Sequence, residues 1–201
     1  MAVDLAAWVR RRSAGVSRYL FGIAGPPGSG KSTIAATLGA ELGAPVVPMD
    51  GFHLSNASLS ARGQLDIKGA PETFAASGFV ELVRRLRDPT EVVECPTFDR
   101  TVDEPIDRQV RVSAKDVVVI VEGNYLLLDE APWSALSDLF DAIAYLEVPE
   151  ALRLERLIAR HIEHGRSPTA AEIFVRRSDA VNAVRVEASR PRADLVVPAE
   201  P

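Results

Sequence analysis

The segment 25–32, Gly-Pro-Pro-Gly-Ser-Gly-Lys-Ser, constrains this chain most, because it matches the phosphate-binding pattern G-x-x-x-x-G-K-[ST] at every fixed position. It follows the apolar run 19–24 and precedes a helical pattern, which is the context that this motif requires. Glycines let successive backbone N–H groups turn toward one anion, and the following helix N-terminus adds partial positive charge. The sequence therefore predicts a strand–loop–helix unit that binds a nucleoside triphosphate.

Two residues of this segment have separate predicted contacts with the nucleotide. Lys31 can reach the β- and γ-phosphates, and the Ser32 hydroxyl can ligate Mg²⁺. The whole loop and the residue after it are candidates for nucleotide binding. These candidates are Gly25, Pro26, Pro27, Gly28, Ser29, Gly30, Lys31, Ser32 and Thr33.

Strand and helix patterns alternate along the rest of the chain. The run 117–121 is continuous and β-branched, which is typical of a strand buried on both faces of a parallel sheet. Such alternation predicts an α/β fold with right-handed crossovers. Further strands are predicted at about 18–24, 46–50, 142–148 and 195–197, helices at about 2–13, 34–42, 73–87, 150–163 and 171–188, and strand-like pieces within about 91–112.

Together with the phosphate-binding segment, this order predicts the three-layer α/β/α fold of P-loop NTPases, with a mostly parallel five-stranded sheet and a helical lid. At 201 residues the chain fits one domain, and neither a repeat nor a low-complexity tract divides it. We therefore predict a single domain over residues 1–201, with the lid at about residues 150–170.

Composition excludes several other classes of protein. A net charge of -5 gives no electrostatic reason to expect a nucleic-acid partner. The single cysteine, Cys95, cannot form an internal disulfide, which fits a reducing compartment. No targeting signal is visible, and the longest apolar runs are far too short to span a bilayer. We expect a cytoplasmic enzyme without a membrane or nucleic-acid partner.

Asp50 is the first candidate for chemistry outside the loop. It ends a short apolar strand and would lie at the carboxyl edge of the sheet, where open α/β folds bind ligands. Gly51 after it would let the chain turn sharply beside the phosphates. A carboxylate there could accept the proton of an attacking hydroxyl, or organise Mg²⁺ through water. Most Asp-Gly pairs are turn or cap residues, however, so both interpretations stay open.

Glu122 is the second acidic candidate. It ends the most hydrophobic strand of the chain, and an acid in that position acts on Mg²⁺ and its waters in P-loop enzymes. Strands often end in a polar residue, so the pattern is weak by itself. The phosphate-binding segment makes the metal interpretation the favoured one.

The predicted helix at 150–163 carries Arg153, Arg156 and Arg160 at a spacing that places them on one face, and Arg166 follows in a loop. Solvated arginines paired with nearby glutamates would explain this row. A lid that closes over the triphosphate and neutralises charge on the transferred group would explain it as well. We favour the lid, without assigning which arginines act.

Four further segments accompany the phosphate-binding loop: 49–53 (MDGFH), 68–74 (KGAPETF), 96–99 (PTFD) and 121–125 (VEGNY). Together these segments resemble the phosphoribulokinase / uridine kinase / bacterial pantothenate kinase superfamily of P-loop small-molecule kinases. The resemblance runs from about residue 18 to about residue 198 and is greatest to a subgroup loosely described as nucleoside, nucleotide or fructose kinases.

The resemblance implies roles for individual residues. Asp50 matches the general base for the substrate hydroxyl, Glu122 matches the Walker-B-type acid, and Ser32 with Glu122 would hold Mg²⁺, partly through water. Catalytic roles are thus expected for Asp50, Lys31, Glu122 and Arg160, nucleotide binding for Arg156, and substrate binding for His53, Lys68, Glu72, Asp99, Asn124, Tyr125 and Arg166. Uridine kinases usually carry a polar residue and an aromatic after the base, whereas this chain has Gly51 and Phe52, so the resemblance does not assign uridine as acceptor.

We therefore expect an ATP- and Mg²⁺-dependent kinase that phosphorylates a hydroxyl of a small metabolite: a sugar, a nucleoside, or a pantothenate- or glycerate-like acid. The alternative is a nucleotide hydrolase acting as a regulatory switch, which would call for a guanine-reading Asn-Lys-x-Asp segment or a second domain, and neither is present. A polynucleotide end kinase would need a basic groove and aromatic platforms, against which the net charge and 6% aromatic residues count. The acceptor, the preference for ATP over GTP and the assembly stay open, and a homodimer is one assembly that the resemblance allows.

Overall fold

The computed structural model describes residues 3–198, so residue 2 of the first predicted helix and both ends of the predicted domain lie outside it. The main sheet is parallel and has five strands: β1 (Tyr19–Ala24), β2 (Val46–Pro48), β5 (Val118–Gly123), β6 (Ala142–Glu147) and β7 (Leu195–Pro198). Their order in the sheet is β2-β5-β1-β6-β7. This arrangement confirms the predicted α/β fold and its five-stranded sheet.

The strand-like pieces predicted within 91–112 pair with each other and not with the main sheet. They form an antiparallel hairpin of β3 (Val93–Asp99) and β4 (Glu104–Val112), with a register shift between Cys95 and Thr97. The turn of this hairpin, residues 100–103, reaches over the carboxyl edge of the sheet, where Arg100 contacts Asp50.

Helices cover both faces of the sheet. The long predicted helix at 171–188 is divided, because a π-helical turn at Val175–Asp179 separates α6 from α7. Within residues 3–198 no helix is both long and apolar enough to cross a bilayer. The helices are α1 (Leu5–Arg12), α2 (Lys31–Leu42), α3 (Asn56–Ala61), α4 (Ala76–Leu86), α5 (Glu150–Glu163), α6 (Pro168–Phe174) and α7 (Ala180–Ser189).

Two apolar clusters lie on opposite faces of the sheet. One packs α4 and the segment around Trp133 against residues such as Leu20 and Val121, and the other packs α1 and α2 against residues such as Phe21 and Ile120. Neighbouring strand residues point to opposite faces, so β1 and β5 contribute side chains to both clusters. Burial on both faces fixes the register of these strands, and with it the position of the loops that follow them.

Candidate active site

The phosphate-binding loop connects the end of β1 to the first turn of α2 and packs against α5. Gly28 and Gly30 have φ values of +81° and +89°, a conformation that favours glycine. A Cβ atom at Gly28 would also lie 2.8 Å from the carbonyl oxygen of Arg153. The glycine is needed there both for the backbone turn and for the close approach of α5, which holds the predicted lid helix against the loop.

Lys31 is buried at the base of the loop, with 7% of its surface exposed. Its Nζ donates hydrogen bonds to the carbonyl oxygen of Pro26 at 3.0 Å and to Ser29 Oγ at 3.4 Å. Burial lowers the pKa of Lys31 to about 8, against the opposing effect of the Glu122 and Asp50 carboxylates. A buried ammonium held by neutral oxygens favours an additional anionic partner.

Ser32, in the first turn of α2, contacts Glu122, near the carboxyl end of β5. Ser32 Oγ donates a hydrogen bond of 3.0 Å to Glu122 Oε1, and Glu122 is 6% exposed. Burial, reinforced by the nearby Asp50 carboxylate, raises the pKa of Glu122 to about 6. Within residues 3–198, no group of three or more His, Cys, Asp and Glu side chains could hold a metal. A hydroxyl and one carboxylate nevertheless suit Mg²⁺, which keeps several waters and takes further oxygens from phosphates.

The sequence pattern predicts Asp50 at the end of the second strand, but β2 ends two residues earlier, at Pro48, and Asp50 lies in the 3₁₀ turn Met49–Phe52 that follows it. Its Oδ2 accepts a hydrogen bond of 2.9 Å from Arg100 Nη2, and its Oδ1 lies 4.0 Å from His53 Nε2. Burial would raise the pKa of Asp50, but His53, Arg100 and Lys31 outweigh it and hold that pKa below the ordinary value. Asp50 is therefore ionised at neutral pH.

Gly51 owes its identity to packing and not to the sharp turn that the sequence suggests. Its φ is not positive, unlike those of the loop glycines. A Cβ atom there would lie 2.4 Å from the carbonyl oxygen of Pro96 on β3. The missing side chain lets the hairpin approach the Asp50 turn, which brings Arg100 within reach of the carboxylate.

His53 stacks between two phenylalanine rings, with centroid distances of 4.0 Å to Phe74 and 4.8 Å to Phe98. Burial lowers its pKa to about 4, so His53 is neutral at pH 7 and its approach to Asp50 is not an ion pair there. Its Nδ1 is buried and has no hydrogen-bond partner within the described part of the chain. A buried polar atom of this kind normally has a hydrogen-bond partner.

Two cavities meet at the phosphate-binding loop. The loop cavity, about 730 Å³ in volume, is lined by residues 28–34 and Arg156. The Asp50 cavity, about 680 Å³, is lined by Asp50, Glu122 and the turn of the hairpin. Both volumes lie in the range of small-molecule sites. The residues that border both cavities are Gly28, Lys31, Ser32, Arg100 and Arg160.

Several of the predicted acceptor residues line the Asp50 cavity. Lys68 is one of them, but its Nζ donates to Asn56 Oδ1 and Asp103 Oδ2, each at 2.7 Å, and so ties α3 to the hairpin turn. Arg166 lies over the ring of Phe174 at 4.1 Å from its centroid. The predicted acceptor residues brought together in this cavity are His53, Lys68, Asn124 and Arg166.

Three predicted acceptor residues lie elsewhere. Glu72 pairs with Arg185 at 3.1 Å beside a separate cavity of about 480 Å³. Asp99 accepts a 2.7 Å hydrogen bond from the backbone of Thr101 and stabilises the hairpin turn. Tyr125 is buried and donates its hydroxyl hydrogen to the carbonyl oxygen of Gly69. Their segments reach the site, but the Glu72 side chain lies at the separate cavity, that of Asp99 in the hairpin turn and that of Tyr125 in the core.

The arginines of α5 do not share one environment, which corrects the prediction of a single lid face. Arg153 is 2% exposed and packs with Leu157 against Gly28. Arg156 lines the loop cavity, and Arg160 borders both cavities. The buried positions 153 and 157 are four apart and form the packed face, so only the later turns of the helix present arginines to the cavities.

Arg100 is the residue that sequence reasoning missed. It follows the PTFD segment directly, and its charge beside that segment was the available signal. A second missed feature is the pair of His161 Nε2 and Asp179 Oδ2 at 2.9 Å, which joins α5 to the π-helical turn. Arg100 meets Asp50, fifty residues away, and His161 meets Asp179, eighteen residues away. Neither contact has a local sequence pattern.

The loop cavity and the Asp50 cavity meet at the buried Lys31. A triphosphate-binding loop beside a second cavity defines a P-loop phosphotransferase with a small-molecule acceptor. A profile of the Phosphoribulokinase / Uridine kinase family matches residues 20–201. The chain belongs to this family, and it is an ATP-dependent kinase with an alcohol group as acceptor.

Individual proteins are similar to this chain over most of their length. The chain is 36% identical over 195 residues to a Schizosaccharomyces pombe protein provisionally named a uridine kinase, covering 90% of this chain and 83% of that one. It is 38% identical over 181 residues to Escherichia coli YggC, covering 86% and 74%. A crystal structure from Silicibacter sp. TM1040, provisionally described as a fructose transport system kinase, has 41% identity, a TM-score of 0.88 and coverage of 98% and 100%.

Proposed function

We propose that this enzyme transfers the γ-phosphoryl group of ATP to a hydroxyl of a small polar metabolite bound in the Asp50 cavity. One observation carries the proposal: the two cavities share a boundary that contains Lys31, Ser32 and Arg160, with Asp50 on the far side. A triphosphate in the loop cavity would direct its γ-phosphoryl group at this boundary. A hydroxyl beside Asp50 would meet it there.

Asp50 accepts the proton of the acceptor hydroxyl in this proposal. Its carboxylate is ionised at neutral pH, and Oδ1 makes no hydrogen bond to another described side chain. His53 Nδ1 is the proposed hydrogen-bond partner of a second polar group of the acceptor, because this nitrogen is buried without a partner. The Phe74 and Phe98 rings hold His53 in place for that contact.

Lys31, Arg156 and Arg160 hold the phosphates in the loop cavity. Ser32 and Glu122 would hold Mg²⁺, which when bound neutralises charge on the β- and γ-phosphates. The proposed unit is a single kinase domain with its lid at residues 150–170, where Arg160 and Arg166 face the cavities. A reducing cytoplasm is the proposed compartment, since Cys95 is a buried free thiol.

The proposal is tested by measuring ADP formation and phosphorylated product with ATP and a panel of acceptors. The panel contains fructose, uridine, pantothenate and glycerate, and the variants are Lys31→Ala and Asp50→Asn, with Asp107→Asn as a control at an exposed position of the hairpin. We expect one class of acceptor to raise ADP formation with matching product, and both site variants to lose it. Brisk ATP hydrolysis that no acceptor alters would favour the regulatory switch.

A further inference from the structure

Arg100 lies at the turn of the β3–β4 hairpin, directly over Asp50. Its Nη2 lies 2.9 Å from Asp50 Oδ2, and within residues 3–198 this carboxylate is its one ion-pair partner. The Arg100 side chain is 42% exposed, so burial does not force it into this position. The contact joins the hairpin to the turn after β2 across fifty residues of sequence.

The hairpin turn is held by contacts on both sides, which fix the backbone position of Arg100. Gly51 lets the Pro96 carbonyl oxygen approach the Asp50 turn, because any Cβ there would lie 2.4 Å from it. On the other side, Lys68 Nζ bonds Asp103 Oδ2 at 2.7 Å, and the backbone N–H of Asn56 donates to Glu104 at 2.9 Å. Arg100 is therefore presented by an anchored element.

Arg100 and Arg160 are the arginines that border both cavities. Burial and, after it, the positive charge of Arg100 lower the pKa of Arg160, and both guanidinium-bearing residues line the boundary between the cavities. Asp50, in contact with Arg100, supplies a negative charge on the Asp50-cavity side of this boundary. Lys31, Arg100 and Arg160 thus bring three positive charges to the boundary against the two carboxylates of Asp50 and Glu122, which leaves positive charge where a transferred phosphoryl group would pass.

We propose that Arg100 is a second arginine of the transfer site, which contacts the γ-phosphoryl group of ATP while it holds the Asp50 carboxylate. The inference rests on the proposed function for the transfer itself. A guanidinium has five N–H donors in a planar fork, so one can stay on Asp50 while others reach phosphoryl oxygens. Arg100 thus aligns the base with the phosphorus atom and stabilises charge on the group in transit.

Arg100 forms and breaks no covalent bond in this step. The acceptor oxygen forms a bond to the γ-phosphorus and gives its proton to Asp50. The bond between that phosphorus and the β,γ-bridging oxygen breaks, and its electron pair leaves with ADP. Arg100 donates hydrogen bonds throughout.

Nucleotide affinity tests the phosphoryl contact without any acceptor. The variants are Arg100→Ala and Arg100→Lys, and Arg111→Ala is the matched control, an exposed arginine of the same hairpin. Isothermal titration compares Mg²⁺-bound β,γ-imido-ATP with MgADP. We expect Arg100→Ala to bind the triphosphate analogue about tenfold more weakly, from loss of a charge-assisted hydrogen bond, with ADP affinity unchanged. Unchanged affinity for the analogue, or an equal loss for both nucleotides, would overturn the proposal.

Turnover supplies the second measurement. We expect kcat to fall about 10²-fold in Arg100→Ala and less in Arg100→Lys, which keeps the charge but loses the planar fork. Added guanidinium should partly restore Arg100→Ala and leave Arg111→Ala unaffected, which a purely structural role would not produce. Wild-type kcat in Arg100→Ala would overturn the proposal.

The two measurements separate this inference from the proposed function. A selective loss of analogue affinity with no acceptor phosphorylated by the wild type would support the Arg100 contact and contradict the proposed transfer. If an acceptor is phosphorylated and Arg100→Ala keeps its kcat and analogue affinity, the proposed transfer would be supported and the Arg100 contact contradicted. Circular dichroism and the melting temperature should match the wild type, since Arg100 lies in an exposed turn.

Discussion

The Ser32 hydroxyl donates a 3.0 Å hydrogen bond to Glu122 Oε1, which joins the first turn of α2 to the carboxyl end of strand β5. The two residues are ninety positions apart, and parallel pairing of β1 with β5 brings their carboxyl ends together. The proposed metal site is therefore a consequence of strand order. Any change that shifts β5 relative to β1 would separate the hydroxyl from the carboxylate.

Lys31→Ala should weaken binding of the triphosphate. The ammonium is buried in the loop and borders both cavities, so its loss removes the central positive charge. We expect affinity for MgATP to fall at least about tenfold, the scale of a buried charge-assisted contact. Isothermal titration measures it, with Lys115→Ala as a control at an exposed position. Wild-type affinity in Lys31→Ala would contradict the assignment.

Asp50→Asn should keep ATP binding and lose transfer. The amide preserves the shape of the side chain but cannot accept the acceptor's proton, so kcat should fall about 10²- to 10⁴-fold. Titration of MgATP and steady-state kinetics separate the two effects. Full transfer by Asp50→Asn would refute its role as base.

The pH dependence of kcat/KM for ATP should be bell-shaped. Burial raises the pKa of Glu122 to about 6, so its carboxylate is lost as the pH falls through that value. Burial lowers the pKa of Lys31 to about 8, so its positive charge is lost as the pH rises through that value. Because kcat/KM reports the free enzyme, both limbs should appear in it. A profile flat across both values would show that these groups do not control catalysis.

His53→Phe should separate the proposed substrate contact from packing. Phenylalanine can keep the stack between Phe74 and Phe98, but it removes Nδ1, so KM for the acceptor should rise about five- to tenfold with a smaller change in kcat. An unchanged KM would exclude the contact.

The same variant has a predicted effect on stability. The pKa of His53 is about 4 in the folded protein against the ordinary 6.5, so between these values the unfolded chain binds the extra proton. His53 therefore favours unfolding as the pH falls through this window. The stability of His53→Phe should depend less on pH there than that of the wild type, as measured by urea unfolding at several pH values.

Gly51→Ala should destabilise the protein, whereas Gly78→Ala should not. A Cβ atom at Gly51 would lie 2.4 Å from the Pro96 carbonyl oxygen, and overpacking of this kind costs about 1–3 kcal/mol. At Gly78, inside α4, the nearest atom is a Phe52 ring carbon at 3.7 Å, and alanine favours the helix by up to about 1 kcal/mol. Thermal unfolding of both variants gives the comparison. Equal melting temperatures would mean that the hairpin can move away from the Asp50 turn.

Local patterns predicted the parts of the site that depend on a few consecutive residues. The phosphate-binding loop, the buried strand before Glu122 and the helix at 150–163 appear in the structure at or near their predicted positions. Each is specified by residues within one or two turns, because glycine conformation, strand burial and helical periodicity are short-range properties. The placement of Asp50 beside the second cavity follows from the same rule about strand ends.

Local patterns did not predict the directions of individual side chains. Glu72 and Asp99 belong to segments that reach the site, yet their carboxylates pair with Arg185 and with the hairpin backbone. Arg153 fits the arginine spacing of the predicted lid but packs inward at 2% exposure. Spacing in the sequence does not say which neighbour a side chain meets across an interface, so these outcomes required the folded structure.

By itself, the sequence determined a triphosphate loop, an α/β sheet and two acids at strand ends, since each follows from short-range conformational preference and burial. Only the tertiary structure decided that a hairpin fifty residues away lies over Asp50 and brings Arg100 to 2.9 Å from its carboxylate. The physical reason is that this contact depends on how two separate elements pack. Gly51 has no side chain, so the Pro96 backbone can pack closely against it.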